Sequence, residues 1–350
     1  MATIRVNPDD PDPASIKRAA EIIRSGGLVA FPTETVYGLG ANALDEDAVY
    51  GIFLIKGRPL WDPLIVHLSS TDMVKLVAKS VPDIFHPLSE RFMPGPLTLV
   101  VEKSEIVPDI TTAGLPTVAV RIPNHPVALA LIRESGVPIA APSANRFGRP
   151  SPTSAHHVLE DFGDSIDLLL DGGETKIGVE STVLDITRTP PVLLRPGGVS
   201  KEEIEEVVGR VEVFRGGTRV APSPGMSPRH YAPRAEILLV DEEDMKKAAE
   251  DMVKKASGLL EKGLKVGVIA PDEVASFISN LPISVRKTGR WGEWGEMARR
   301  LFRELRSLDG EGADAIICIL PPPRGIGLAI RDRLIRASFK GDPHSSLTIL

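Results

Sequence analysis

The residues best suited to chemistry are four cationic side chains that lie in short polar segments. Lys56 and Arg58 stand two apart just before Pro59, and Arg121 and Arg195 each follow an apolar segment further along the chain. Neutral donors lie in similar segments, namely Thr33, Thr35, Ser143, Asn145, Ser151 and Ser181. A lysine supplies a mobile point charge, and an arginine supplies a planar fork that fits phosphate or carboxylate. Without an obvious nucleophile and base, this set indicates phosphoryl or nucleotidyl transfer, which depends mainly on positioning and charge stabilisation.

Other common catalytic motifs are absent from the sequence. It contains no G-x-x-x-x-G-K-[ST] segment, no G-x-S-x-G segment and no G-x-G-x-x-G segment in its first part. It therefore lacks the signatures of P-loop, serine-hydrolase and dinucleotide-binding sites. Gly325 and Gly327 follow a strand signal and predict a close-packed turn. His156 and His157 have no cysteine or third histidine nearby, so we expect both on the surface of a helix.

The polar segments lie at the ends of predicted strands. Apolar runs predict strands at residues 28–31, 64–68, 97–101, 117–121, 137–140, 166–170 and 182–186. Helical spacing predicts helices at 14–25 and 126–134, and Ser200 with Glu203 forms a capping box that begins another. Because open α/β sheets bind ligands at strand ends, we expect the polar segments to form one site.

A second region begins after a segment rich in proline and glycine. Residues 215–234 cannot form a regular element and indicate a linker. Beyond it, strand signals at 237–240, 265–270, 283–286 and 315–320 alternate with helix signals at 243–262, 272–280 and 295–308. That order is typical of a small parallel α/β domain. We therefore predict domains at 1–214 and 235–350 joined by the linker 215–234, which agrees with a length of 350 residues.

Composition and charge exclude several classes of protein. The chain has 42% hydrophobic and 25% charged residues, one cysteine and no apolar run approaching ~18 residues. These features disfavour a disulfide framework and a membrane span. The first residues do not have the pattern of a secretory signal. We therefore expect a cytoplasmic protein. Acids outnumber bases among residues 1–210, which disfavours bulk binding of nucleic acid and indicates a specific anion for the local cations.

Each segment taken singly also has a purely structural interpretation. Arg121 could form a surface ion pair worth about 0–1 kcal/mol. In the turn around Ser143 and Asn145, the two side chains could serve only to cap backbone groups. His67 alternates with apolar neighbours, so it could be a core histidine. No single segment decides between the structural and the functional interpretation.

Taken together and in order, the segments resemble the YrdC-like family. The resemblance rests on the strings FPTETVYG (31–38), KGR (56–58), PGPLT (94–98), APSAN (141–145), SPT (151–153), GVESTV (178–183) and LRPG (194–197). Further strings lie in the linker, at 224–226 and 230–233, and in the second domain, at 325–330 and 332–334. They extend the resemblance to the two-domain form of the family, the threonylcarbamoyl-AMP synthases.

The resemblance implies a fold and an activity. It implies an open twisted mixed sheet with flanking helices, followed by a smaller Rossmann-like parallel α/β domain. It implies that L-threonine, bicarbonate and ATP give L-threonylcarbamoyl-AMP and pyrophosphate, for threonylcarbamoylation of the adenosine next to the anticodon in tRNA. Mg²⁺ is implied on the ATP phosphates rather than in a cage of acidic side chains. The product is implied to pass to a tRNA-modifying complex, and direct binding of tRNA is left open.

The resemblance also implies roles for individual residues. The implied catalytic set is Lys56, Arg58, Ser143 and Asn145. The implied ATP contacts are Arg58, Asp62, Thr117, Ser143, Ser151, Arg195 and Tyr231. The implied threonine contacts are Thr35, His67, Arg121, the main chain of Ala141, and Ser181. No side chain is implied as a metal ligand.

Two positions depart from the pattern of the family. Asp62 stands where asparagine is frequent, and an acid beside a triphosphate requires Mg²⁺ or a ribose hydroxyl to meet it. Ser227 and Pro228 stand where a basic or aromatic pair is expected. We nevertheless expect Tyr231 and the linker arginines to close over the ATP site as a lid that excludes water. Two alternatives stay open: an RNA-binding YrdC-like module without catalysis, and a carbamoyltransferase, which would carry paired cysteines for zinc.

Overall fold

Two units make up the part of the chain that the structure describes. The computed structural model describes residues 2–214 and 223–341. The first unit holds residues 2–147, 151–176 and 180–226 among these, and the second holds 148–150, 177–179 and 227–341. Of the predicted linker, residues 215–222 lie outside the described residues, 223–226 belong to the first unit and 227–234 to the second. The linker as a separate segment, with its exact boundaries, stays a prediction.

A twelve-stranded mixed sheet forms the first unit. In chain order its strands are β1 (Ala2–Arg5), β2 (Val29–Phe31), β3 (Gly38–Asn42), β4 (Ile65–His67), β5 (Ala78–Ser80), β6 (Leu97–Lys103), β7 (Thr117–Arg121), β8 (Ile139–Ala140), β9 (Leu168–Asp171), β10 (Thr182–Asp185), β11 (Val192–Arg195) and β12 (Glu212–Val213). They are ordered β1-β9-β2-β3-β8-β4-β7-β6-β10-β11-β12, and β5 pairs with β6. β7 is parallel to β4 and antiparallel to β6, while β6 is parallel to β10. The predicted mixed sheet is confirmed.

Helices flank this sheet and have identifiable start signals. They are α1 (Pro13–Arg24), α2 (Glu46–Lys56), α3 (Val74–Val77), α4 (Phe85–Phe92), α5 (Asp109–Thr112), α6 (Pro126–Ser135), α7 (Ala155–Phe162) and α8 (Lys201–Val208). α1 begins after Asp12, whose carboxylate accepts a hydrogen bond from the N–H of Ser15. The predicted capping box of Ser200 and Glu203 is present at the start of α8.

The pair of histidines in α7 corrects one expectation. His156 is exposed and pairs with Glu160, as predicted for the surface of a helix. His157 is buried, and its Nδ1 accepts a hydrogen bond from the N–H of Thr153. The prediction was wrong for His157 because adjacent residues on a short helix point to different sides, and only one side faces solvent.

The second unit is a parallel α/β domain. Its strands are β13 (Glu236–Val240), β14 (Val266–Ala270), β15 (Ser284–Lys287) and β16 (Ala315–Ile319), in the order β13-β16-β14-β15 with all pairs parallel. Its helices are α9 (Met245–Leu260), α10 (Asp272–Phe277), α11 (Trp294–Gly310) and α12 (Ile326–Ser338). The predicted Rossmann-like domain is confirmed. A Cβ on Gly327 would lie 2.3 Å from the carbonyl oxygen of Pro322, so this turn is close-packed as expected.

One apolar cluster of the first unit lies under the strands that carry the candidate site. Its buried members are Ile65, Val100, Ala119, Val183, Val192 and Leu194, from β4, β6, β7, β10 and β11. His67, Arg121 and Arg195 are the last residues of three of these strands. The cluster thus fixes the strand ends from which the site is built. Among the described helices none is both long and apolar enough to cross a membrane.

Candidate active site

Lys56 is a buried cation at the end of a helix. It is the last residue of α2, is 3% exposed, and is followed by Gly57 in the left-handed conformation (φ 62°). A positive charge is favourable at a helix C-terminus. Its Nζ donates hydrogen bonds to the carbonyl oxygens of Ser143 and Asn145, both at 2.5 Å. Lys56, Ser143 and Asn145 are therefore brought together, as expected for the predicted catalytic set.

Arg58 forms a buried ion pair with Asp62. Its Nη2 lies 3.0 Å from Oδ2 of Asp62, and its Nε donates to the carbonyl oxygen of Asp62 at 3.0 Å. Asp62 has no exposed surface. Burial raises the pKa of Asp62, while Arg58, Lys56 and Arg195 each act to lower it. One carboxylate thus lies within the field of three cations, which we call the cationic cluster: Lys56, Arg58 and Arg195.

Arg195 connects the predicted ATP contacts to the predicted threonine contacts. Its Nη2 donates to the carbonyl oxygen of Ser181 at 2.9 Å and to the Ser181 Oγ at 3.2 Å. The same Oγ shares a 2.8 Å hydrogen bond with Oγ1 of Thr98. Because Ser181 is a predicted threonine contact and Arg195 a predicted ATP contact, these two groups of residues meet at Ser181.

Two further predicted ATP contacts, Thr117 and Ser151, have no described hydrogen bond to the cationic cluster. Thr117 begins β7 and Arg121 ends it, so about 13 Å of strand separates them. Ser151 is buried, and its Oγ donates a hydrogen bond to Oε1 of the buried Glu180. The opposite placement of Thr117 and Arg121 along one strand suits contacts with two different substrates.

The described part of the linker contacts the cationic cluster. The carbonyl oxygen of Pro224 accepts a hydrogen bond from Nη1 of Arg195 at 3.1 Å. The main chain of Gly225 acts to lower the pKa of Asp62, and Met226 packs on the apolar cluster. These three residues belong to the first unit, like the site itself.

Tyr231 lies in the second unit, so its predicted contact with ATP stays a prediction. Its ring stacks on Phe302 with centroids 5.5 Å apart, and the guanidinium of Arg333 lies 5.1 Å from its centroid. Two of the linker arginines, Arg215 and Arg219, lie outside the described residues.

Arg121 is paired inside the protein. It is 4% exposed, and its Nη2 lies 2.8 Å from Oε1 of Glu34. Its Nε donates to the carbonyl oxygen of Gly95 at 3.3 Å. The interpretation of Arg121 as a surface ion pair is therefore wrong. Glu34 was not singled out from the sequence, although it lies in the FPTETVYG segment.

His67 lies beside Arg121 and is neutral. The two residues are register partners in β4 and β7. Burial, with a further contribution from the charge of Arg121, lowers the pKa of His67 to about 3. Its Nδ1 has no hydrogen-bond partner among the described residues. An uncharged imidazole with one unused nitrogen can read a substrate hydroxyl either as donor or as acceptor.

Thr35 and Ala141 complete the predicted threonine contacts. Thr35 is buried, and its Oγ1 lies 2.8 Å from Oγ1 of Thr33. Ala141 directly follows β8, and its N–H donates to the carbonyl oxygen of Ile65 at 3.0 Å. That N–H is already engaged in the sheet, so only the carbonyl group of Ala141 is left as a main-chain contact for a substrate.

A continuous set of contacts joins the two halves of the site. Arg121 bonds to Gly95, in the loop that leads to Thr98, and Thr98 bonds to Ser181. Ser181 bonds to Arg195, and the charge of Arg195 acts on Asp62, the ion-pair partner of Arg58. Among the described residues, no group of three or more His, Cys, Asp or Glu could hold a metal ion. The site is therefore suited to binding two anionic groups side by side with cations and hydroxyls.

Known proteins resemble the chain over nearly its whole length. A family model described as "Telomere recombination" matches residues 21–197, and one described as "Threonylcarbamoyl-AMP synthase, C-terminal domain" matches residues 199–338. The threonylcarbamoyl-AMP synthase of Pyrococcus abyssi is 50% identical over 330 residues, 92% of this chain and 94% of that protein. The Bacillus subtilis protein of the same name is 44% identical over 340 residues, 96% of this chain and 95% of that protein.

A solved structure extends the similarity to three dimensions. The crystal structure of P. abyssi Sua5 complexed with L-threonine superposes with a TM-score of 0.91 at 49% sequence identity. The match covers 97% of this chain and 98% of that chain. Both units of the chain are therefore included in the similarity.

Proposed function

The chain belongs to the threonylcarbamoyl-AMP synthase family, and from that membership we propose that it makes L-threonylcarbamoyl-AMP and pyrophosphate from L-threonine, bicarbonate and ATP. The observation that carries the proposal is the continuous set of contacts from Arg121 through Ser181 to Arg195. Such a site can hold a carboxylate-bearing substrate next to a triphosphate. The relatives named threonylcarbamoyl-AMP synthase match over 94% and 95% of their own length, and one similar structure contains L-threonine.

The reaction requires two anions to approach each other. The amine of threonine and CO₂ form a carbamate, whose oxygen attacks the α-phosphate of ATP and displaces pyrophosphate. We assign Arg58 and Arg195 to the phosphates, where a planar fork can bind two oxygens at once. Lys56 holds the turn of Ser143 and Asn145 and adds a charge that stabilises the pentacoordinate phosphorus. Because these cations are buried, their effect on the transition state is larger than it would be in water.

The threonine half of the site is proposed to recognise the amino acid by its polar groups. Arg121 binds the carboxylate, and neutral His67 with Thr35 and Ser181 reads the hydroxyl. The main chain of Ala141 supplies a further contact. Discrimination against an amino acid without the hydroxyl follows, because a buried polar group left without its partner costs more than the bond itself contributes.

The nucleotide half is proposed to extend along β7. Thr117 and Ser151 contact the nucleoside, and Asp62 contacts the cations that bind the phosphates. Mg²⁺ is proposed to arrive on the ATP phosphates, since the described residues offer no cluster of metal ligands. When bound there, it screens the phosphate charge against the incoming carbamate.

The linker is proposed to act as a lid over the ATP site. Support comes from Pro224 and Gly225, which contact Arg195 and Asp62 respectively. Closure of such a segment would exclude water and protect the reactive adenylate from hydrolysis. Unchanged ATP turnover in Tyr231→Ala would argue against a part for Tyr231 in this lid.

The product is proposed to serve threonylcarbamoylation of adenosine in tRNA. A mixed anhydride of a carbamate and AMP is a reactive acyl donor, so a downstream enzyme must consume it. We propose a tRNA-modifying complex as that consumer and the cytoplasm as the location.

The test is pyrophosphate release from ATP and Mg²⁺, with L-threonine and bicarbonate added singly and together. We expect release only when both are present. Lys56→Ala should reduce it by about 100-fold or more, in the range seen when one donor to a developing charge is removed. Lys75→Ala is the matched control, because Lys75 is 79% exposed and its ion-pair partner Asp72 is exposed too.

The possible outcomes separate the competing activities. Release without threonine would indicate an ATPase or another acceptor, and release supported by carbamoyl phosphate would indicate a carbamoyltransferase. ATP binding without any release would indicate a binding module. Thermal unfolding of Lys56→Ala distinguishes loss of activity from loss of fold.

A further inference from the structure

The buried ion pair of Glu34 and Arg121 does not have the features of a stabilising contact. Nη2 of Arg121 lies 2.8 Å from Oε1 of Glu34, and the two side chains are 4% and 6% exposed. Neither oxygen of Glu34 accepts a hydrogen bond from any residue that the structure describes. A buried ion pair offsets its desolvation cost only when further hydrogen bonds satisfy the remaining lone pairs. Glu34 therefore has acceptor capacity that the fold itself leaves unused.

Two histidines near this ion pair have uncharged imidazoles. Burial and then the charge of Arg121 lower the pKa of His67 to about 3. Burial likewise lowers the pKa of His125, which is electrostatically coupled to Glu34, to about 4. At neutral pH neither ring carries a charge, so neither competes with Arg121 for the Glu34 carboxylate. A cation carried by a substrate could therefore bind Glu34 once the ion pair between Glu34 and Arg121 is broken.

We propose that Glu34 binds the α-ammonium group of the substrate amino acid and accepts a proton from its nitrogen as the carbamate forms. This inference rests on the proposed function, in which Arg121 binds the substrate carboxylate. A zwitterionic amino acid carries one charge of each sign, and the ion pair of Glu34 and Arg121 is its complement. When the substrate carboxylate replaces Glu34 at Arg121, the released carboxylate of Glu34 meets the ammonium group. Each buried charge then keeps a partner of opposite sign.

Carbamate formation releases two protons from the ammonium nitrogen, and Glu34 is assigned the second of them. Bicarbonate takes one proton from the ammonium group and breaks down to CO₂ and water, which leaves a neutral amine. The lone pair of the amine nitrogen forms the N–C bond to CO₂ while one C=O π bond breaks to place charge on oxygen. Glu34 takes the second proton from nitrogen, which leaves the carbamate anion and a neutral carboxylic acid. Glu34 then returns this proton to water.

Glu34→Gln separates carbamate formation from transfer of the adenylyl group. The amide keeps the size of the side chain but cannot accept the proton, so kcat for pyrophosphate release should fall by about 100-fold. In reverse, L-threonylcarbamoyl-AMP and pyrophosphate give ATP and the carbamate, with no proton transfer at nitrogen. The rate of ATP formation in that direction should stay within about 3-fold of wild type, because only one of the two steps has lost its group.

Two results would overturn the proposal. An equal loss of rate in both directions, or an unchanged kcat with a raised KM for threonine, would assign Glu34 only to holding Arg121. Glu34→Asp retains the counter-charge of Arg121 and serves where the glutamine variant does not fold. The forward kcat of Glu34→Asp should fall by about 10-fold or more while the reverse rate is retained. Equal losses of the forward and reverse rates in this variant would also refute the proposal.

A matched control and an independent readout complete the design. Glu212→Gln makes the same chemical change at an exposed position of the edge strand β12, opposite the end of β11 away from Arg195, and should behave as wild type. Pyrophosphate release by wild type without threonine would refute the proposed function itself. That result is obtained without any Glu34 variant, so the two failures are distinguishable.

Discussion

Replacing Asp62 with asparagine tests how the cationic cluster is balanced before ATP binds. Asp62 is fully buried, and its Oδ2 lies 3.0 Å from Nη2 of Arg58. Lys56 and Arg195 also act on its pKa. The carboxylate therefore neutralises part of the positive charge that a triphosphate would otherwise meet. We expect Asp62→Asn to bind ATP more tightly, because the amide keeps the size of the side chain and removes the competing charge.

The magnitude follows from the geometry of Arg58. A phosphate oxygen and the Asp62 carboxylate on the same guanidinium would lie roughly 6 Å apart, which is two charge-assisted hydrogen-bond lengths. At an effective dielectric constant of about 20, two unit charges at that distance repel by ~2.8 kcal/mol. Loss of the Asp62 contact leaves Arg58 less well positioned, which offsets part of the gain. A net ~1–2 kcal/mol remains, so Kd for ATP should fall about 5- to 30-fold.

Calorimetric titration with ATP and Mg²⁺ in the absence of threonine measures this change directly. Asp109→Asn is the matched control, since Asp109 is 82% exposed and pairs with Lys103 at the surface. Because burial raises the pKa of Asp62, lowering the pH toward that pKa protonates the carboxylate. The ATP affinities of wild type and Asp62→Asn should therefore converge as the pH falls. Weaker binding by Asp62→Asn would refute the reasoning and would indicate that Asp62 contacts Mg²⁺ or a ribose hydroxyl.

Three further predictions concern the strand ends of the site. Ser181→Ala should raise KM for both ATP and threonine in the pyrophosphate assay, because its Oγ accepts a hydrogen bond from Arg195 and is proposed to contact threonine. His67→Gln should leave the pH profile of kcat unchanged between about pH 5 and 8, since a histidine with a pKa of about 3 does not titrate there. Gly197→Ala should lower the free energy of unfolding by about 1–3 kcal/mol in a denaturant titration, because its Cβ would lie 2.3 Å from the backbone of Ser181. As its control, Gly51→Ala, inside α2, should instead raise the free energy of unfolding by about 0.5–1 kcal/mol, because the Cβ would make only ordinary contacts, at 3.7 Å, with Leu28.

The strands of the second unit could be predicted from sequence because they are buried on both faces. The apolar runs at 265–270 and 315–320 contain β14 and β16, whose residues are all buried. The first unit was harder. β3 consists of Gly, Leu, Gly, Ala and Asn, which have little preference for strands, and its pairing with β2 and β8 decides its conformation.

Helix α2 was not predicted as a helix from the sequence for a related reason. Its exposed side includes Tyr50 and Leu54, so apolar residues occur on all sides and the helical stripe disappears. Lys56, which stands three residues before Pro59, is the last residue of this helix. Tertiary packing therefore places the cation that the sequence had singled out.

Strand ends were predictable, whereas the partners of the cations were not. Arg121 and Arg195 end β7 and β11, as the apolar runs before them indicated. The roles of Glu34 and Glu180 were missed, because a sequence does not show which acid a buried cation or hydroxyl will face. A useful signal was available for Glu34: it is the one acid in the FPTETVYG segment, and a buried arginine requires a counter-charge.

Buried cations in the site require counter-charges, and this requirement explains the presence of the acids that the sequence analysis did not single out. Cations that bind anionic substrates in a buried site must already be compensated before the substrates arrive, since an unpaired buried charge is very costly. Lys56 and Arg195 use main-chain carbonyl oxygens for this purpose. Arg58 uses Asp62 and Arg121 uses Glu34. Carbonyl groups can stay in place when a substrate binds, but a carboxylate must give up its cation or find another. Asp62 and Glu34 are therefore two positions at which the proposed substrate binding would change the internal contacts, and at Glu34 the proposed replacement cation is the ammonium group of the substrate itself.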